Sequence, residues 1–272
     1  MESNLILAFS LTLFAGLATG VGALFAFFTT RTNKKFLSAA LGFSAGVMIY
    51  VSLIEIFVKA KDSLTSSLGD TTGYWMTIVG FFGGVLRIAV IYKFIPMKTN
   101  AHEAKTVEDV QAAKMKPIQI EEDKLMKMGV FTALAIAIHN FPEGIATFMS
   151  AIHDPNVGIA IAIAVAIHNI PEGIAVAIPI FYATGKRKKA FKLSFLSGLA
   201  EPVGAIVAYI ILMPILSDVL FGIIFAAVAG IMVFISLDEL LPAAKKYDEA
   251  HLSIYGVIAG MAVMAVSLVL LT

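Results

Sequence analysis

Long apolar runs are the feature of this sequence that most restricts its fold. Eight such runs occupy roughly residues 5–28, 36–58, 74–95, 128–152, 157–182, 190–213, 217–241 and 253–272. A helix needs about 20 apolar residues to cross ~30 Å of hydrocarbon, whereas a strand of a membrane barrel needs only about 10. The run lengths therefore predict an all-α integral membrane protein with eight transmembrane helices, forming a single domain over residues 1–272.

The composition agrees with a lipid environment and excludes several functions. Only 14% of the residues are charged and the mean hydropathy is +0.89, whereas a soluble domain has about 25% charged residues. The net charge of +1 leaves no basic face for a nucleic-acid partner. Because the chain has no cysteine, disulfides, thiolate metal sites and cysteine nucleophiles are excluded. Any metal ligands must come from His, Met, Asn, Asp or Glu.

The basic residues predict the orientation of the chain in the membrane. All but three of the 20 lie in the connections that follow the first, third, fifth and seventh apolar runs; the exceptions are Lys59, Lys61 and Arg87. The positive-inside rule places these connections in the cytoplasm and both termini outside it, in a multi-pass protein of the cell (inner) membrane. The polar segment 96–127 between helices three and four is predicted to be a flexible, partly helical cytoplasmic loop.

Two nearly identical motifs lie in adjacent apolar runs. The sequence HNFPEGIA occupies residues 139–146 and HNIPEGIA occupies 168–175, so seven of eight positions match at a separation of 29 residues. A short polar turn at 153–156 separates the two runs, which predicts an antiparallel helical hairpin. Both motifs then lie at the same depth near the middle of the membrane, where they can face each other.

Each motif combines potential metal ligands with a disturbed helix. His139 and Glu143, and likewise His168 and Glu172, are four residues apart and so share a helix face. The proline between them has no N–H and leaves one carbonyl without its helical partner. Such a defect at membrane depth is tolerated only beside protein or a wet cavity, and transporters use similar defects to form midplane ion sites.

A third acid strengthens the case for a cation site. Glu201, followed by a proline in the sixth run, joins Glu143 and Glu172, while Arg87 is the only basic residue deep in a run. An unpaired charge at the bilayer centre costs about 3 kcal/mol or more. A lone His or Pro would have a structural explanation, but two matched copies with carboxylates predict metal binding. Imidazole with carboxylate favours zinc, iron(II) or manganese(II), whereas calcium and magnesium prefer oxygen ligands throughout.

Further candidates lie towards the ends of the second and seventh runs. Met48, Ser52 and Glu55 share one helix face, and Glu55 lies towards the outer end, where it would guide incoming ions. Asp238 and Glu239 lie near the inner end of the seventh run, on a predicted exit path. The structural alternatives are core packing for Met48 and ordinary interfacial acids for Asp238 and Glu239.

At the paired motifs the sequence resembles the ZIP family of metal transporters, in particular its bacterial ZupT-type zinc-uptake branch. The resemblance extends to residues 42–55, 198–201 and 230–242. It implies an eight-helix fold in which helices one to three and six to eight are related by a pseudo-twofold axis, with helices four and five between them. This is a 3+2+3 arrangement.

The resemblance also implies a centre for two metal ions. One subsite would use His139, Glu143 and Glu172, with His168 and Met48 nearby. The other would use Asn140, Glu143, Asn169, Glu172 and Glu201. Some relatives have Asp at the position of Asn169, so the neutral amide lowers the charge of the second subsite in this chain.

Together these features predict uptake of divalent transition-metal ions by alternating access. Zinc is the chief expected cargo, with iron(II), manganese(II) and cadmium as further candidates, and no cofactor is expected. The partners expected are the ions, the lipid bilayer and a second copy in a homodimer. One alternative is an intramembrane zinc metalloenzyme, such as a protease. Such an enzyme needs three protein ligands, a bound water and a separate base, and the protease motif HExxH is absent. The other alternative is a metal exporter.

Overall fold

The computed structural model of the chain consists of helices. It describes residues 2–28, 34–94, 118–215, 217–246 and 251–271, and within these ranges it has no β-strand. The α-helices are α1 (Glu2–Phe28), α2 (Lys34–Tyr50), α3 (Phe57–Leu68), α4 (Asp70–Phe94), α5 (Ile118–His153), α6 (Pro155–Thr184), α7 (Arg187–Gly198), α8 (Ala200–Val207), α9 (Asp218–Ile235), α10 (Leu241–Lys246) and α11 (Leu252–Leu271). The prediction of an all-α membrane protein is confirmed for the described residues.

Three π-helical turns interrupt the long helices within the described ranges. Val51–Ile56 joins α2 to α3, Ala208–Leu212 follows α8, and Ser236–Leu240 joins α9 to α10. The second is followed by a short 3₁₀ turn at Met213–Ile215. A π turn inserts an extra residue into the helical ladder and is frequent at functional sites. No local sequence pattern predicts these turns.

Seven helical stretches of the described residues are long and apolar enough to cross a membrane. They are Asn4–Leu24, Ser38–Leu68, Asp70–Lys93, Pro155–Ile174, Arg187–Ile215, Asp218–Leu240 and Leu252–Leu270, and each overlaps a predicted run. The remaining predicted run, 128–152, is helical as part of the 36-residue α5 but is not among the seven. Of the predicted loop 96–127, residues 96–117 lie outside the described residues and 118–127 belong to α5.

A tight turn joins α5 to α6 as the sequence predicts. The side chain of Asp154 caps α6 by accepting hydrogen bonds from the backbone N–H groups of Asn156 at 3.0 Å and Val157 at 3.4 Å. Pro155 follows at the first helical position, where its missing N–H is not needed. The two helices then pack against each other along their length, which confirms the antiparallel hairpin.

The α5–α6 hairpin lies inside the bundle. α5 also packs on α1, α7, α8 and α9, and α6 also packs on α1, α2, α7 and α11. Both helices continue through the prolines of their motifs, so each proline removes one hydrogen bond without ending the helix. This arrangement places the two motifs at the centre of the protein.

Glycines bring the surrounding helices into close contact. A Cβ atom at any of the following glycines would collide with a carbonyl of the partner helix: Gly46 with Val257 and Gly260 with Phe43 between α2 and α11, and Gly84 with Ala227 and Gly230 with Phe81 between α4 and α9. Small residues favour such packing in membranes, where the hydrophobic effect does not drive helices together. On each of the four helices, the glycine and the residue whose carbonyl is contacted are three positions apart. The α2–α11 and α4–α9 pairs therefore pack in the same way.

Candidate metal site

The two matched motifs place their polar side chains in the protein interior. Five of these side chains are at most 2% exposed: Asn140, Glu143, His168, Asn169 and Glu172. The side chain of His139 lies outside the described part of the structure. Burial of several ionisable groups at one depth is unfavourable unless they pair with each other or with a cation.

A direct contact joins the two motifs. Nε2 of His168 on α6 lies 3.0 Å from Oε1 of Glu143 on α5. The pair therefore combines the histidine of the second motif with the glutamate of the first. Zinc binds imidazole nitrogen and carboxylate oxygen atoms at about 2.0–2.2 Å. An ion bound by both atoms would therefore replace their direct contact.

Asn169 connects α6 to two other helices. Its side-chain N–H₂ group donates one hydrogen bond to the carbonyl oxygen of Ala15 on α1, at 2.9 Å, and a second to the carboxylate of Glu201 on α8. Its side-chain oxygen is buried and has no hydrogen-bond partner among the described residues. The amide is thus held with its oxygen available to a cation.

Asn140 of the first motif shows the same arrangement. Its side-chain nitrogen donates to the carbonyl oxygen of Ser197 on α7 at 3.4 Å, and its buried oxygen lacks a hydrogen-bond partner within the described ranges. An unsatisfied buried amide oxygen costs about 1–3 kcal/mol. The two motifs therefore share a buried amide oxygen without a hydrogen-bond partner among the described residues.

Glycines in both motifs bring neighbouring backbones against the site. A Cβ atom on Gly144 would collide with the carbonyl of Glu201, and one on Gly173 would collide with the carbonyl of Thr19. A neighbouring backbone therefore lies in close contact beside each motif glutamate. It sets the position of the Glu201 backbone relative to α5.

The second helix also reaches the site. The hydroxyl of Ser44 donates a hydrogen bond of 3.4 Å to the carbonyl oxygen of His168. Met48 lies one turn further along α2, fully buried among the apolar residues of the core. The burial of Met48 agrees with a role in core packing, and metal ligation by its sulfur remains a prediction.

The four predicted path residues all lie in π turns. Ser52 and Glu55 belong to Val51–Ile56, where Glu55 pairs with Lys59 at 3.1 Å. Asp238 and Glu239 belong to Ser236–Leu240, where Asp238 is exposed and Glu239 is buried. Tyr92 on α4 lies close to Glu239. The structure does not test whether ions pass along these residues.

Four of the predicted ligands meet in two pairs. Glu143 lies with His168, and Glu201 lies with Asn169. No group of three or more His, Asp or Glu side chains at metal-binding spacing occurs among the residues whose positions are described, and this search does not include the side chain of His139.

The match to a known protein family extends over almost the whole chain. Residues 3–268 fit the sequence model of the family described as ZIP Zinc transporter. The chain belongs to the ZIP family. It is therefore a membrane transporter of this family rather than an enzyme, as the resemblance at the paired motifs predicted.

Several curated proteins are similar to this ZIP chain over its full length. A zinc transporter ZupT of Lysinibacillus sphaericus (strain C3-41) is 78% identical over 271 residues, which is 100% of both chains. A zinc transporter ZupT of Oceanobacillus iheyensis is 72% identical over 98% of this chain and 99% of the relative. A zinc transporter ZupT of Streptococcus mutans serotype c is 60% identical over 99% of both chains. The predicted similarity to the ZupT branch of the ZIP family is confirmed.

Several residues that shape the site of this ZIP protein are not predicted by its sequence motifs. Ala15, Ser44 and Ser197 contribute a backbone carbonyl or a hydroxyl that holds a motif residue in place. No local pattern reveals them, because each lies far from its partner in the sequence. Tyr92 lies beside Glu239, but its sequence position does not predict this. A tyrosine near the end of an apolar run is usually an interfacial anchor.

Proposed function

We propose that this protein takes up zinc across the cell membrane through a site between α5 and α6. The observation that carries the proposal is the Glu143–His168 contact, in which two matched motifs present a carboxylate and an imidazole to each other in the protein interior. The names of the similar ZupT proteins support zinc as the cargo. Because imidazole and carboxylate also suit iron(II), manganese(II) and cadmium, these ions are secondary candidates.

The proposed ligands form two adjacent subsites. His139, Glu143, His168 and Glu172 would hold one ion, with Met48 next to it. The buried oxygens of Asn140 and Asn169 would join Glu143, Glu172 and Glu201 around the other. The supporting observation is that both amide nitrogens are hydrogen-bonded to backbone carbonyls, so that both oxygens are available.

The proposed path runs past the π turns Val51–Ile56 and Ser236–Leu240. Ions would pass Ser52 and Glu55 on the outer side, reach the midplane site, and leave past Asp238 and Glu239. The sequence supports this assignment, because residues 45–56 and 229–240 are identical at six of twelve positions, including the pairs Ser52 with Ser236 and Glu55 with Glu239. In alternating access, the outer end and the inner end of this path would open to water one after the other.

Glycine contacts support the proposed eight-helix, 3+2+3 arrangement. Gly144 of α5 packs on Glu201 while Gly204 packs on Phe141; Gly173 of α6 packs on Thr19 while Gly22 packs on Ile170. All four pairs use the same three-residue offset. The packing of α8 against α5 therefore matches the packing of α1 against α6, as a pseudo-twofold axis would require. Homodimer formation remains a prediction.

The direction of transport distinguishes uptake from export. Proteoliposomes that contain a trapped zinc indicator would report flux, and the cysteine-free sequence allows orientation to be read from one introduced thiol. In intact cells, Ser66→Cys should react with an impermeant thiol reagent, whereas Lys188→Cys should react only after permeabilisation. Uptake predicts zinc flow from the Ser66 side to the Lys188 side, and the reverse flow with intact folding would indicate an exporter.

A further inference from the structure

An apolar crevice separates the first motif from helices α4 and α9. Its volume is about 500 Å³ and it opens at the protein surface. The lining residues come from α4, α5, α9 and the turn after α8, and include Ile91, Phe141, Pro142 and Ile231. Every lining residue except Arg87 is apolar.

Arg87 is an unusual residue for this position. It is exposed on a helix long and apolar enough to span the membrane, and it forms no ion pair with the described residues. The matched packing of α4–α9 and α11–α2 makes Val263 the counterpart of Arg87, and Val263 is also exposed. Helix packing therefore does not require an arginine here, whereas an unpaired arginine deep in a bilayer costs about 3 kcal/mol.

We propose that this crevice binds the acyl chain of an anionic phospholipid, whose phosphate pairs with Arg87. Arg87 lies six residues before Lys93, which is about 9 Å along the helix. A long arginine side chain can extend over such a distance towards the headgroups at the Lys93 end. Basic residues beside clefts between transmembrane helices bind anionic headgroups in this way, and the apolar walls suit a lipid chain.

Native mass spectrometry tests the proposal on the intact protein in mixed micelles. The micelles would contain equal amounts of phosphatidylglycerol and phosphatidylcholine with identical acyl chains. The wild type should retain phosphatidylglycerol preferentially, and Arg87→Gln should lower that preference about fivefold, the factor for loss of one basic residue at a membrane surface. Ile91→Trp, which fills the crevice and keeps the charge, should lower retention of both lipids.

Lys93→Gln is the matched control, because Lys93 is exposed on the same helix and does not line the crevice. It should lower the preference clearly less than Arg87→Gln does, because its charge does not lie beside the apolar walls. An equal loss in Lys93→Gln and Arg87→Gln would mean general surface charge and would overturn the proposal. Unchanged retention in Ile91→Trp would mean that the lipid lies outside the crevice. A lipid-free dimer that Ile91→Trp converts to a monomer would instead assign the crevice to a second copy of the chain.

Discussion

Replacement of Gly144 by alanine tests whether backbone contact positions the metal site. The added Cβ atom would lie 2.6 Å from Cα of Glu201 and closer still to its carbonyl oxygen. To relieve this overlap, α5 and α8 must separate by roughly 1 Å, and such overpacking costs about 1–3 kcal/mol. Because the obstacle is backbone, we expect a cost near the upper limit, reduced by about 1 kcal/mol for the better helix propensity of alanine.

The expected net loss for Gly144→Ala is therefore about 2 kcal/mol of stability, together with a functional defect. Displacement of Glu201 by about 1 Å should reduce zinc flux by about 10- to 100-fold, since reacting groups tolerate little misplacement. Thermal unfolding in detergent and zinc flux in proteoliposomes would measure the two effects. Gly173→Ala should behave alike, because its Cβ atom would meet the carbonyl of Thr19.

Gly83→Ala provides the matched control for this substitution. Gly83 lies in α4 with no atom within 4 Å of the position of its Cβ, so alanine should be neutral or stabilising by up to about 1 kcal/mol with unchanged flux. If Gly144→Ala retained both the thermal stability and the zinc flux of the wild type, the close approach of α5 and α8 would have no role in the site.

Two further substitutions probe the second subsite and the outer path. Asn169→Asp would replace the amide that donates to Glu201 by a second carboxylate; the variant should unfold at a lower temperature without metal and gain more stability from added zinc than the wild type does. An equal zinc-induced shift would argue against ligation by residue 169. Glu55→Gln would break the pair with Lys59, which is partly exposed and contributes under about 1 kcal/mol, so flux at low zinc should fall several-fold with little loss of stability. Asp62→Asn, which breaks a similar surface pair, should leave flux unchanged; equal losses in both variants would remove Glu55 from the path.

Much of the fold follows from patterns that act locally. Run length predicts the helices because lipid leaves backbone groups no partner outside the helix. The turn at Asp154 follows from capping chemistry, and the glycine beside each glutamate predicts close backbone contact. These features need no knowledge of distant residues.

The remaining features depend on residues far apart in the sequence. The orientation of Asn169 is set by Ala15 and Glu201, on two other helices, so its available oxygen cannot be inferred from the motif alone. The π turns at Ser52 and Asp238 likewise depend on packing, since their local sequence is compatible with an ordinary helix. The repeat of 45–56 at 229–240 is visible in the sequence, but only the matched glycine contacts give it a structural meaning.

Zinc flux through the Glu143→Gln/Glu172→Gln double variant tests the central claim most directly. Wild type, double variant and an Asp62→Asn control would be reconstituted at equal density with a trapped zinc indicator, and folding would be checked by thermal unfolding. We predict zinc-dependent signals from the wild type and the control and none from the folded double variant. An equal signal from all three proteins would show that the paired motifs do not form the zinc path.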